Sequence, residues 1–193
     1  MRLTLLSLVL AVSTATAFSQ TPAARNTASA RSTPPSAPAP EPSSTVAQPT
    51  AKGKTLDGQA FDLAKLRGRV VLLMFWSTEC AICRDKMPEI RENTKGWADK
   101  PFTPVLVSVD RRMSDIDSYN AIINKAVPIK ERLTQVWALD AAYQDNLGTA
   151  KLAPTAPPSH WPVIYVIDKE GKVASRHQGR VPPEVWDDIA GLL

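Results

Sequence analysis

Cysteine is scarce: the 193 residues contain only Cys80 and Cys83. That count excludes a multi-disulfide framework and a four-cysteine zinc site. No run of 18 apolar residues occurs, which argues against a membrane-spanning helix. Charge of one sign is also lacking. Three basic residues (Arg2, Arg25, Arg31) and one acid (Glu41) precede residue 51, leaving 20 basic and 18 acidic residues, a net of +2, beyond it. So even a balance offers no nucleic-acid footprint, which needs Lys and Arg gathered on one face. Proline, by contrast, is abundant at 17 residues, and seven of these lie between Phe18 and Thr50. The apolar fraction of 44% is that of an ordinary globular chain.

Residues 1–17 read as a secretory signal. Arg2 supplies a positive start, Leu3 to Val12 an apolar stretch, and Ala15-Thr16-Ala17 a small-x-small cleavage pattern. The expected cut follows Ala17, so the location is periplasmic or otherwise exported. An uncleaved signal would instead serve as a membrane tether. Residues 18–50 hold 7 Pro, 7 Ala and 11 Ser or Thr, 25 of 33 in all. Such a composition buries too little apolar surface to offset the entropy of ordering, so a disordered linker is expected. Extended at about 3.1 Å per residue, it would reach roughly 100 Å.

Residues 51–193 are enough for one well-buried core. Asp57-Gly58 marks a hairpin turn, and Asp62 can cap a brief helical turn ending at Gly68. Arg69 to Trp76 (RVVLLMFW) is a nearly continuous apolar run, as expected of a central strand buried on both faces. Cys80 to about Asp99 has helical spacing, with Ile82, Met87, Ile90 and Trp97 on the expected buried side and Pro88 predicting a kink. Thr103 to Val109 reads as a second buried strand. Ser114-Asp115-Ile116-Asp117 resembles a capping box before a helix to about Ala126. Further on, the pattern predicts a strand over Thr134 to Leu139 and a short helix over Ala141 to Leu147. A hairpin follows from Val163–Ile167 and Lys172 to His177, then a closing helix from Pro182. The order β-α-β-α, then β-β-α, implies an α/β sheet with helices on both faces.

Cys80-Ala81-Ile82-Cys83 is the chemical centre. It directly follows a buried strand and opens a helix. The free N–H groups and positive dipole end of a helix N-terminus stabilise a thiolate at Cys80. Two cysteines three apart can close a small disulfide, the first attacking a partner disulfide and the second resolving the mixed disulfide. A four-residue loop removes little entropy from the unfolded chain, so a purely structural disulfide is poorly motivated.

The segment FWSTECAICRDKMPEI, Phe75 to Ile90, resembles the active-site segment of thioredoxin-fold proteins of the TlpA/ResA type. The approach through Leu56-Asp57-Gly58 and Leu66-Arg67-Gly68-Arg69-Val70-Val71-Leu72 is similar to that family too. So is Trp161-Pro162-Val163-Ile164-Tyr165-Val166-Ile167-Asp168-Lys169-Glu170-Gly171, which resembles its cis-proline strand and hairpin. The likeness spans 51–193. It implies a thioredoxin-like three-layer fold: a mixed central sheet, helices on both faces and an N-terminal hairpin extension. It further implies an exported thiol–disulfide oxidoreductase that needs no cofactor and no metal. In that reading Cys80 is the nucleophile, Cys83 the resolving thiol and Pro162 the cis-proline facing the disulfide. Trp76, Trp161, Ala81 and Ile82 would form the substrate-binding surround. Partners would be proteins with a disulfide or dithiol, of the cytochrome c maturation or copper-chaperone type, with a membrane thiol donor supplying electrons and no role for nucleic acid.

Three departures stand out. Glu79 replaces the usual Trp before the first cysteine. Its carboxylate opposes the thiolate or serves as a proton acceptor, unless it is simply a solvated loop acid. Met74 occupies the place of thioredoxin's buried Asp, so that proton relay is missing. Trp161, not a small residue, precedes Pro162. Two other functions compete. Cys80, Cys83 and His160 would suit a soft metal such as Cu(I), although copper-delivering relatives space their cysteines C-x-x-x-C and a polar loop role for His160 is the plainer reading. Peroxidases of this fold need Thr three residues before the reactive cysteine, where this chain has Ser77, with Thr78 one residue later. His177 reads as structural.

Overall fold

The computed structural model describes residues 48–193, so the expected signal and most of the expected linker lie outside the described residues. Twelve regular elements follow in order: β1 (Ala51–Lys54), β2 (Ala60–Asp62), β3 (Val70–Trp76), α1 (Ala81–Gly96), β4 (Phe102–Ser108), α2 (Met113–Ala126), β5 (Thr134–Trp137), β6 (Gln144–Asp145), α3 (Thr149–Leu152), β7 (Val163–Ile167), β8 (Val173–Gln178) and α4 (Glu184–Leu192). Five strands form the main sheet in the order β5-β4-β3-β7-β8, and β2-β1-β6 form a small separate sheet. The apolar run VVLLMFW is β3, and every one of its residues is buried. Each such side chain contributes about 1.5–3 kcal/mol by leaving water.

The sheet is mixed: β3 runs parallel to β4 and antiparallel to β7. The β3-α1-β4 and β4-α2-β5 crossovers advance the same way across the sheet. Right-handed connection therefore sets α1 and α2 on one face. On that face the Trp76 ring meets Tyr119 of α2 edge-on at 5.2 Å. The Trp186 indole of α4 donates to Glu89 of α1, which brings α4 to the same side. Side chains alternate along a strand, so Phe75 points the other way. There it meets Tyr165 at 6.2 Å, whose hydroxyl lies 3.3 Å from Thr149 at the start of α3. The expected helices on both faces are present, but among the described residues the second face has only the single α-helical turn of α3.

The expected N-terminal hairpin is β1 and β2, with Gly58 at φ 84° in its turn. It is fastened to the main sheet through Leu56 N–H donating to Gln135 O at 2.9 Å. Asp62 caps a short 3-10 turn over Leu63–Leu66 by accepting from Ala64 N–H.

Several local expectations fail for identifiable reasons. Ile82 is 48% exposed rather than buried, whereas Met87 and Ile90 are buried as expected. The helix starts at Ala81, so Ile82 belongs to its open first turn. The helix itself forms as expected, over Ala81–Gly96 with Pro88 inside it. The Ser114 capping box does not form. Arg112 is the N-cap without a side-chain cap bond, and its guanidinium pairs with Asp115 at 3.0 Å. The helix expected over Ala141 to Leu147 is a turn followed by β6, because Ala51 and Lys52 pair with Asp145 and Gln144. The helical turn comes later, as α3. No helix among the described residues is long and apolar enough to cross a membrane.

Candidate active site

The register places three segments at one end of the sheet. Trp76, the last residue of β3, lies opposite Ser108, the last of β4. Phe75 lies opposite Val163, the first residue of β7. The turn after β3, the chain leaving β4 and the chain entering β7 therefore meet there, and each carries residues of interest.

From β3 the chain makes a tight turn, with Cys80 N–H donating to Ser77 O at 3.1 Å and Glu79 N–H to Ser77 Oγ at 3.2 Å. Cys80 is the N-cap of α1, and its Sγ accepts from Cys83 N–H at 3.1 Å. Cys80 and Cys83 are joined in a disulfide with Cα atoms 5.2 Å apart. Its first sulfur thus sits among the unpaired N–H groups of a helix start, where negative charge is stabilised. Cys80 is 3% exposed and Cys83 fully buried, while Ala81 and Ile82 between them are open to solvent.

From β7's side, the Trp161–Pro162 peptide bond is cis, and Pro162 O accepts from Gly179 N–H at 2.8 Å. Trp161 is 2% exposed and shares the hydrophobic core with both cysteines. Trp76 is completely buried, and its indole nitrogen has no hydrogen-bond partner among the described residues. Of the four residues expected to surround a substrate, Ala81 and Ile82 are open to solvent, whereas Trp76 and Trp161 are packed into the core that supports the cysteines. Glu79 is exposed.

The chain leaving β4 carries a residue that the sequence pattern did not single out. Asp110 is 5% exposed. Its Oδ1 accepts from Thr78 N–H at 2.9 Å and from the Thr78 hydroxyl at 2.7 Å, and its Oδ2 accepts from the Ser108 hydroxyl at 2.6 Å. On its far side, Thr78 O accepts from the Arg84 guanidinium at 2.7 Å. The turn before Cys80 is therefore held between β4 and the first turn of α1. The available signal was an acid directly after a buried strand whose parallel neighbour leads into the cysteine motif.

His160 does not stand free beside the cysteines: its Nε2 lies 2.8 Å from the Gln178 amide. His177 pairs with Asp188 at 3.2 Å, across from α4. Among the described residues no three His, Cys, Asp or Glu side chains converge as a metal site would need. A cavity of about 810 Å³ opens between α1, α2 and the hairpin turn, lined by Met87, Arg91, Tyr119 and Gln135 among others and by neither cysteine.

Comparison with known proteins agrees with this geometry. The Redoxin family matches residues 37–192. Among curated proteins, the thioredoxin-like protein YneN of Bacillus subtilis is 27% identical over 65% of this chain and 66% of its own length. The thiol-disulfide oxidoreductase ResA of Bacillus cereus is 25% identical over 67% of this chain and 66% of its own length. The chain thus spans about 66% of the length of these relatives. Among solved structures, the thioredoxin domain of a Bacteroides vulgatus thiol-disulfide oxidoreductase is 26% identical, with a TM-score of 0.53 over 73% of this chain and 89% of that one. A thiol:disulfide interchange protein of Chlorobium tepidum has a TM-score of 0.57 at 23% identity, over 75% and 93% of the two chains. A buried β3 leading into a cysteine pair, and a mixed sheet closed by the β7-β8 hairpin and α4, are accounted for by a thioredoxin-like fold of the TlpA/ResA type, and by the extent of the family match the chain belongs to the Redoxin family.

Proposed function

We propose that the protein is a thiol–disulfide oxidoreductase that reduces disulfides of partner proteins. The observation that carries this reading is the Cys80–Cys83 disulfide at the N-terminus of α1, with Cys83 N–H directed at Cys80 Sγ. In the reduced protein the same N–H and the helix dipole favour the Cys80 thiolate, the form that attacks. That thiolate attacks one sulfur of a partner disulfide, a mixed disulfide forms, and the partner's other sulfur leaves as a thiolate and takes a proton. The Cys83 thiolate, having given up its proton, then attacks Cys80 Sγ. The internal disulfide closes, the partner's second sulfur departs, and two electrons have passed to the partner.

Both cysteines are buried, but Cys80 keeps 3% of its surface exposed and Cys83 none, an order that suits Cys80 as nucleophile and Cys83 as resolving thiol. Pro162 directly precedes Val163, which lies opposite Phe75 of β3, in keeping with a proline that faces the disulfide. The exposed Ala81 and Ile82 would give a docking partner an apolar contact. The sequence-read signal and linker support an exported protein whose folded domain reaches a partner at the membrane, tethered there only if the signal stays uncleaved. There, partners of the cytochrome c maturation or copper-chaperone type and a membrane thiol donor fit a dedicated reductant.

Trapping tests this. With Cys83→Ala, a covalent complex with partner proteins is expected that dithiothreitol releases. Cys80→Ala should form none and should reduce no disulfide. Activity surviving Cys80→Ala would sink the assignment.

A further inference from the structure

We propose that Asp110 is a positioning residue for the thiol chemistry: it clamps the turn before Cys80 so that the sulfur is presented to the first N–H groups of α1. The inference rests on the exchange reading above for its purpose, and on Asp110's own contacts for its substance.

Cys80 Sγ meets Cys83 N–H only while Cys80 keeps its N-cap conformation, φ −78° and ψ 99°. That conformation ends a turn closed by Cys80 N–H on Ser77 O, with Thr78 at its outer corner. Thr78 has two donors, its N–H and its hydroxyl, and both go to Asp110. Asp110 is itself fixed from behind. Its Oδ2 accepts from Ser108, the last residue of β4, and its main-chain O accepts from the Trp137 indole at 2.7 Å, at the end of β5. The clamp thus transmits the rigidity of two adjacent strand ends to the residue two before the nucleophile. A carboxylate buried to this degree is unfavourable unless its oxygens are satisfied. Here they are satisfied by Thr78 and Ser108, so the turn and the acid hold one another.

Position and charge predict opposite signs. A carboxylate acting through its charge disfavours a nearby thiolate, so its removal would lower the Cys80 pKa. A carboxylate acting by position favours the thiolate, because releasing Thr78 loosens the N–H contact to sulfur, and its removal raises that pKa. The other charged groups around the turn, Glu79, Arg84 and Arg112, remain in place throughout.

The test is the rate of alkylation of reduced Cys80 by iodoacetamide across pH, on the full chain with Cys83→Ala as background. Asp110→Ala is expected to slow alkylation about tenfold below the Cys80 pKa, which corresponds to an upward shift of about one unit. Thr78→Val, which keeps the N–H and loses the hydroxyl, should slow it about threefold, an upward shift of about half a unit. Asp110→Asn should stay within about twofold of the parent, since its carbonyl oxygen can accept from Thr78 and its amide can donate to Ser108. Faster alkylation in both Asp110 variants would overturn the proposal in favour of charge. An unchanged pKa with a lowered melting temperature would overturn it in favour of a purely structural role. Should Asp110→Ala not fold, Thr78→Val decides, and parental reactivity there rejects the clamp. Alkylation reads the thiol without any partner, so a protein inactive on every disulfide yet showing these shifts would fail the exchange reading and keep this one.

Discussion

At the scale of single residues, Glu79 and Asp110 are two acids near one sulfur with opposite surroundings. Glu79 is exposed to water, whereas Asp110 is enclosed and bonded to the turn. A charge in water is screened within about 10 Å at 0.1 M salt. We therefore expect Glu79→Gln to lower the Cys80 pKa by only about 0.3 unit at low salt, the sign following from loss of a neighbouring negative charge. Thiolate absorbance titration checks this, and the difference should vanish at about 1 M salt, where the screening length falls to roughly 3 Å. The sequence made the visible acid prominent because it adjoins the motif. Asp110 is thirty residues away along the chain and becomes a neighbour only through the parallel register of β3 and β4. That kind of adjacency is invisible in a linear pattern. The cysteine pair was legible because its chemistry depends on local spacing, and Pro162 was picked out through the resemblance to the TlpA/ResA type.

At the scale of elements, α1 and α4 are joined through Glu89. It accepts from the Trp186 indole and pairs with Lys86 at 2.6 Å. Burial pushes its carboxyl pKa up, but the Lys86 and Trp186 hydrogen bonds outweigh that and hold it below the ordinary value. A carboxyl lowered in the folded state adds stability that is complete above its unfolded pKa of about 4.3 and is lost as pH falls through the lower folded value. Both partners of the ion pair are about a third exposed, so the contribution is discounted to about 0.5–1 kcal/mol. Glu89→Gln should lower the urea midpoint at pH 7 accordingly, and the gap to the parent should close near pH 3. A constant gap across pH would place the effect elsewhere. The long periodic elements, β3, α1, β4 and β7, were readable because burial repeats along them. The helix expected over Ala141 to Leu147 was not. Its residues 144 and 145 are claimed by β1, about 90 residues earlier in the chain, and no local preference reports a partner at that separation.

At the scale of the whole molecule, the domain begins where Asn146 receives it. Its Oδ1 accepts from Thr50 N–H at 2.8 Å, its Nδ2 donates to Gln48 O at 2.9 Å, and its own N–H donates to Thr50 O at 3.2 Å. These bonds fasten the chain just ahead of β1. Asn146→Ala removes the two side-chain bonds, which are exposed, and should lower stability by about 1 kcal/mol. It should also move the limit of proteolysis of the Pro-rich segment inward past Thr50, as mass spectrometry of the protected core would show. An unmoved boundary would mean that pairing of β1 with β2 and β6 holds the entry alone. The same small sheet has a second effect. An unpaired strand border is a template on which another chain can add itself. Here the β5 border is partly taken by the hairpin, through Leu56 and the Thr55–Val136 bridge. The opposite border, β8, exposes Arg176 and Gln178 rather than an apolar row. The main sheet thus offers neighbouring copies little to extend, so at high concentration the folded domain resists growth into fibres.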